Sequence, residues 1–156
     1  MINEHGKNTH SGDNSDNNSD INWILLFTSW LIAVVSVMGS MFFSEVMEFA
    51  PCSLCWYQRI TLFPLVVILG AGLFPFDRGV IKYSLPLVII GWFTALYHNL
   101  IYAGVIPEVL SPCSKGGSCK EEYIELLGFI SIPMLSLMAY TAIALLLITL
   151  YKRTKV

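Results

Sequence analysis

Charge is scarce in this sequence. Lys, Arg, Asp and Glu supply 13 % of its 156 residues, about half the share of roughly 25 % found in soluble domains. An excess of either sign is also missing, since the formal net charge is −2. That balance gives no footing for a nucleic-acid partner, which calls for clustered basic residues. What fills the space is apolar: 55 % of the residues are hydrophobic and 13 % are aromatic.

The placement of the few charges decides the class. Four runs are free of them: Ile21–Phe43, Ile60–Phe76 (lengthened upstream by Trp56 and Tyr57), Tyr83–Pro107 and Leu126–Tyr151. A transmembrane helix needs about 20 such residues, and a charge at its centre costs at least about 2.5–3.5 kcal/mol. The fold expected is an all-α membrane protein, a four-helix transmembrane bundle running up-down-up-down with short loops. A disordered tail is expected over residues 1–20, the transmembrane domain over 21–151 and a basic cytoplasmic tail over 152–156. The tail is Asn, Ser, Asp and Gly with little to bury. Its Asp13–Asp20 run lacks the turn Gly and closing Glu of a calcium loop. The first run is too long, and follows too acidic a segment, for a cleaved signal peptide.

Lys and Arg in short loops set orientation. With both termini inside, the cytoplasmic face carries Lys7, Arg78, Lys82, Lys152, Arg153 and Lys155, and the outer face carries Arg59, Lys115 and Lys120. Both termini are therefore expected in the cytoplasm. Gly70, Gly72 and Gly91 are candidates for close helix approach.

Cysteine is equally sparse, and none falls inside a charge-free run. Cys52 and Cys55 form a C-x-x-C at the start of the second helix, while Cys113 and Cys119 lie in the second outer loop. All four face one compartment, and they permit three disulfide connectivities. Three readings compete: structural staples, a four-thiolate zinc site and a redox relay. An oxidising exterior disfavours free thiolates waiting for zinc, and a three-residue loop gains little from a staple. Relay is the favoured reading. A membrane metal-binding or structural protein is its rival from another class.

Residues near the first pair fit redox chemistry. Arg59 follows Cys55 by one helical turn, so helix terminus and guanidinium together are expected to lower the Cys55 thiol pKa; a snorkelling anchor is the bland reading of Arg59. His98 and Asn99 are polar exceptions in the third span. A residue such as His98 is either functional or satisfied by a backbone carbonyl. Trp56, Tyr57, Trp92, Tyr97 and Tyr102 either line a slot for a flat ligand or form an interfacial belt. Pro107, Pro112 and Gly116-Gly117 mark a loop, followed by a possible surface helix over Lys120–Leu127.

The stretch Pro51-Cys52-Ser53-Leu54-Cys55-Trp56-Tyr57-Gln58-Arg59 resembles the signature of the disulfide bond formation protein B family, DsbB. The short second pair and the run Tyr123-Ile124-Glu125 through Ile132-Pro133 resemble its Gram-positive, BdbC-like branch. The resemblance spans about residues 22–151. It implies a thiol–quinone oxidoreductase in the bacterial plasma membrane, with all four cysteines catalytic and paired as Cys52–Cys55 and Cys113–Cys119. It implies Arg59 and His98 beside the cofactor, and no resident metal. The cofactor implied is a membrane quinone, menaquinone in preference to ubiquinone, leading to the respiratory chain. The partner implied is an extracytoplasmic thioredoxin-like thiol oxidase of the DsbA or BdbD type. Such a partner sits near −120 mV against about −270 mV for thioredoxin, so a thioredoxin-like dithiol would face a gap of roughly 7 kcal/mol. A quinone sink would remove that gap.

Overall fold

The computed structural model describes residues 12–46, 52–105 and 132–155. It contains four helices: α1 (Gly12–Glu45), α2 (Ser53–Ala71), α3 (Val80–Tyr102) and α4 (Ile132–Lys155). All four are long and apolar enough to cross a membrane. Each packs on its neighbours in sequence, and α1 closes against α4. The four-helix bundle expected from the charge pattern is the fold.

The bundle is apolar inside and outside. Leu26, Leu65, Leu69, Val88, Ile143 and Leu147 are fully buried between the helices. Val35, Val67, Phe93 and Leu145, one from each helix, are at least 60 % exposed on the outer surface. In water that surface would be an aggregation site, whereas lipid solvates it. The chain is a multi-pass membrane protein.

Three helix ends differ from the ends of the charge-free runs for local reasons. The second helix starts seven residues before Ile60, because Cys52 caps it: the Cys55 backbone N–H donates to Cys52 Sγ at 3.3 Å, satisfying one of the four N–H groups that a helix start leaves unpaired. It stops at Ala71, ahead of a turn in which the Asp77 N–H donates to the Gly72 carbonyl and Asp77 Oδ1 accepts from the Gly79 N–H. The third helix stops at Tyr102. Gly104 takes φ +74°, and the Gly104 and Val105 N–H groups donate back to the Ile101 and Leu100 carbonyls, the Schellman closure that favours glycine.

The tail boundary is a correction. Residues 12–20, read as part of a disordered tail, are helical and continue α1. Once a packed helix exists, each further turn adds backbone hydrogen bonds without a new nucleation cost. The basic segment 152–155 likewise continues α4. Cys113, Cys119 and the expected surface helix over 120–127 lie outside the described residues.

Of the three glycines, Gly91 shows close approach most clearly. A Cβ there would overlap the Tyr140 ring. Seated against Gly91, Tyr140 reaches across α3 to α2: its hydroxyl donates to the Gln58 carbonyl at 2.8 Å and lies 2.7 Å from Thr61 Oγ1. This contact holds the middle of α2 one turn beyond the C-x-x-C.

Candidate functional site: a dithiol, a histidine and an arginine at one end of the bundle

The start of α2 and the last turns of α3 meet at one end of the bundle. Cys52 and Leu54 pack there against Ile101, with Cys55 and Tyr97 beside them. Cys52 is 8 % exposed and Cys55 is half-buried. Their sulfurs lie 2.8 Å apart, so the pair can close to a disulfide by small side-chain rotations.

His98 joins them from α3. It is 4 % exposed, and its Nε2 is 3.7 Å from Cys52 Sγ. Its Nδ1 faces Gln58 Nε2 at 3.4 Å. A side-chain amide nitrogen can only donate, so in this arrangement Nδ1 accepts and Nε2 carries the proton that points at the sulfur. The ring thereby supplies a donor to the Cys52 sulfur. His98 thus lies between the Cys52 sulfur on one ring nitrogen and the Gln58 amide on the other. Its neighbour Asn99 is structural, donating to the Ala95 and Pro133 carbonyls and so tying α3 to the start of α4.

Arg59 lies one turn below Cys55 and is 7 % exposed. Its Nε donates to Ser40 Oγ at 2.8 Å and its Nη2 to the Ser40 carbonyl at 2.6 Å. The guanidinium sits 5.5 Å from the centre of the Trp56 ring, within cation–π range. A buried clamp to α1 replaces the snorkelling anchor.

The thiol with the lowered pKa is Cys52, which corrects the expectation for Cys55. Three donors converge on the Cys52 sulfur: the Cys55 thiol first, then the His98 ring, then the Cys55 backbone N–H. Burial pushes the other way and loses. Arg59, which the expectation rested on, is committed to Ser40.

Between α2 and α3, beside the dithiol, a groove of about 470 Å³ opens on the outer surface. Its lining includes Leu54, Tyr57, Ile60, Phe93, Thr94 and Tyr97. Of the five aromatics considered for a slot, Tyr57 and Tyr97 are here. Trp56 stacks under Arg59, and Trp92 donates to Thr141 Oγ1 at 3.0 Å, joining α3 to α4.

The model of the family described as disulfide bond formation protein DsbB matches residues 21–150, which take in α2 and α3 whole and most of α1 and α4. The chain belongs to the DsbB family. Among relatives of this DsbB-family chain, disulfide bond formation protein C of Bacillus subtilis (strain 168) is 44 % identical over 120 residues, covering 77 % of this chain and 87 % of the relative. A probable disulfide formation protein of Metapseudomonas resinovorans is 44 % identical over 137 residues, covering 87 % and 95 %. A probable disulfide formation protein of Coxiella burnetii (strain CbuK_Q154) is 38 % identical over 127 residues, covering 79 % and 84 %. No solved structure matches. Family and relatives make the DsbB-family chain a membrane disulfide-forming oxidoreductase.

Sequence reasoning missed three residues that shape this DsbB-family site. Gln58 stands in the motif with no role readable from its position, although a polar residue inside a span is itself a signal. Ser40 and Tyr140 gave no signal, because their meaning lies in contacts 19 and 82 residues away along the chain.

The pH behaviour follows. Cys52 is lowered from an ordinary 9.0 to about 4, so its thiolate stabilises the folded dithiol state fully above pH 9. That stabilisation is lost progressively as pH falls toward 4. In the dithiol form, alkylation of Cys52 is expected to stay near its thiolate-limited rate through neutral pH and to fall off only in acid. His98→Phe is expected to move that midpoint upward, read from alkylation rate against pH. An unmoved midpoint would make His98 a bystander.

Proposed function

We propose that this chain is a thiol–quinone oxidoreductase that reoxidises an extracytoplasmic thioredoxin-like thiol oxidase and passes the electrons to a membrane quinone. The observation that carries the reading is the Cys52–Cys55 pair, held by a helix cap and His98 at a bundle end that also presents a lipid-facing apolar groove. Lys and Arg placement supports cytoplasmic termini and cysteines outside the plasma membrane. The names of the relatives, disulfide formation proteins, agree with the direction of flow.

The second pair receives the partner. A partner thiolate attacks Cys113 of the Cys113–Cys119 disulfide, breaking that bond and releasing Cys119 as thiolate. The partner's second thiol then displaces Cys113, leaving the partner oxidised and the second pair reduced. Cys119 attacks Cys52, opening Cys52–Cys55 and releasing Cys55. Cys113 then displaces Cys52 from Cys119, so the second pair is a disulfide again and the first pair holds the two electrons. As leaving group, Cys52 is favoured by the features that lower its pKa, since a lower leaving-group pKa speeds exchange. His98 donates to the sulfur as its charge appears, and Gln58 keeps the ring turned toward it.

A quinone, when bound, supplies a sink for two electrons and two protons. The groove beside Leu54 and Tyr97 fits such a ligand: it is apolar, opens to the lipid from which a quinone would arrive, and adjoins the residue preceding Cys55. Tyr57, Thr94 and Tyr97 are among the residues that line it. Arg59 holds a positive charge one turn below Cys55, fixed there by its bonds to Ser40. Menaquinone is the quinone proposed.

The trapping experiment tests this order of events. In a Cys119→Ala chain, Cys113 remains without its resolving thiol. Mixed with an oxidised thioredoxin-like partner, it is expected to form a Cys113–partner adduct visible on a non-reducing gel, and Cys113→Ala is expected to give none. Capture of the partner at Cys52 or Cys55 while Cys113 and Cys119 are intact would reverse the order of the pairs.

A further inference from the structure

We propose that the reduced site is also a binding site for a thiophilic d10 cation of the Zn²⁺ or Cd²⁺ class, held by Cys52, Cys55 and His98. The ligand atoms of these three side chains all lie within 4.8 Å of one another. Zinc takes sulfur at about 2.3 Å and imidazole nitrogen at about 2.0 Å in a tetrahedron, which puts neighbouring ligand atoms roughly 3.5–3.8 Å apart. The 3.7 Å between Cys52 Sγ and His98 Nε2 is already such an edge. The sulfurs, 2.8 Å apart, must spread by about 1 Å, and the half-buried Cys55 is the one with room to turn. Two ligands come from the first turn of α2 and the third from α3, so both helices set the geometry.

Proton and charge balance favour the complex. Each thiol gives up its proton to solvent as the cation binds, and no electrons move. Two thiolates and one divalent cation sum to zero, which eases the burial of charge at the membrane edge. The histidine must present Nε2 bare and carry its proton on Nδ1. Gln58 meets that demand by turning its amide, so that Oε1 accepts from Nδ1. A metal-bound histidine with its second nitrogen donating to a neighbour is the usual arrangement. Three protein ligands leave a fourth position for water or another donor. Disulfide formation consumes both thiolates, so the site exists only between the arrival and the departure of electrons. The cation would therefore arrest the chain in its reduced state, whichever way electrons flow, and the proposal stands apart from the quinone reading.

The test uses the full chain carrying Cys113→Ser and Cys119→Ser, purified in detergent and titrated with Cd²⁺. Binding is read from the thiolate-to-metal absorption band and from protection of Cys52 and Cys55 against alkylation. The dithiol form is expected to bind one Cd²⁺ per chain, and the disulfide form at least about a hundredfold more weakly. His98→Phe is expected to weaken binding at least about tenfold, the lower end of what even an outer-shell change costs a metal site. His98→Cys, which returns a soft ligand, is expected to restore it. Equal binding by dithiol and disulfide forms, no stoichiometric binding by the dithiol, or an affinity indifferent to His98→Phe would each overturn the proposal.

Discussion

Cys52→Ser is expected to abolish oxidation of a reduced thioredoxin-like partner, with a fall of at least about three orders of magnitude, as when an enzyme loses its nucleophile. The measurement is partner oxidation by membranes containing the chain, with quinone supplied. Serine is the informative replacement because of where Cys52 sits. It is the N-cap of α2, and serine is among the preferred N-cap residues. Cys52→Ser therefore keeps an acceptor for the Cys55 N–H while removing the sulfur. Cys52→Ala removes both, and is expected to cost a further 0.5–2 kcal/mol or so of stability. Loss of turnover with an unchanged melting temperature in Cys52→Ser would place the effect in the chemistry. Retained turnover would remove Cys52 from the relay and the proposed function with it.

Arg59→Met is expected to show the next largest effect, and in two separate readouts. Methionine keeps an unbranched stem but loses the charge and both bonds to Ser40. Hydrogen bonds to charged groups contribute about 1.5–3 kcal/mol each, so unfolding in mixed micelles should become easier by an amount of that order. Quinone-linked turnover should fall by at least about tenfold, since about 1.4 kcal/mol of lost stabilisation already gives that factor. Arg59→Lys separates the two. It restores a positive charge without the planar fork, and should recover part of the turnover while the α1–α2 contact stays weakened. Full turnover in Arg59→Met would leave Arg59 a structural clamp alone.

The four spans were legible because charge is excluded from a bilayer core, and that rule acts on each segment separately. Helix ends were less legible because they depend on small local devices. Arg59 marks the edge of the second charge-free run and lies one turn inside α2, as the C-x-x-C spacing implies, but the Ser40 contact on α1 that satisfies it could not be read from the sequence. The first cysteine pair and its place at a helix start could be read from C-x-x-C followed by Trp-Tyr-Gln-Arg. Which sulfur carries the charge could not. Sequence distance favoured Cys55 through Arg59, whereas the cap geometry and a histidine 46 residues away favour Cys52. His98 was visible as an ionisable residue in a span, but its partners, Cys52 on one nitrogen and Gln58 on the other, exist only once α2 and α3 are packed.

The Arg59–Ser40 clamp also bears on how the chain is made. A helix with a guanidinium among its apolar residues meets a penalty on entering lipid alone, about 2.5–3.5 kcal/mol were the charge at the centre. The preceding helix carries the hydroxyl and carbonyl that receive this guanidinium, and it leaves the ribosome first. Biogenesis is thus expected to release α1 and α2 into the bilayer together, as a hairpin already bonded at the end that carries the cysteines. In a glycosylation-reporter insertion assay, α2 following α1 should insert more efficiently than α2 following an unrelated helix. Arg59→Leu should erase that dependence on the preceding helix. An α2 that inserts equally well behind either helix would mean that the clamp forms only after both have arrived.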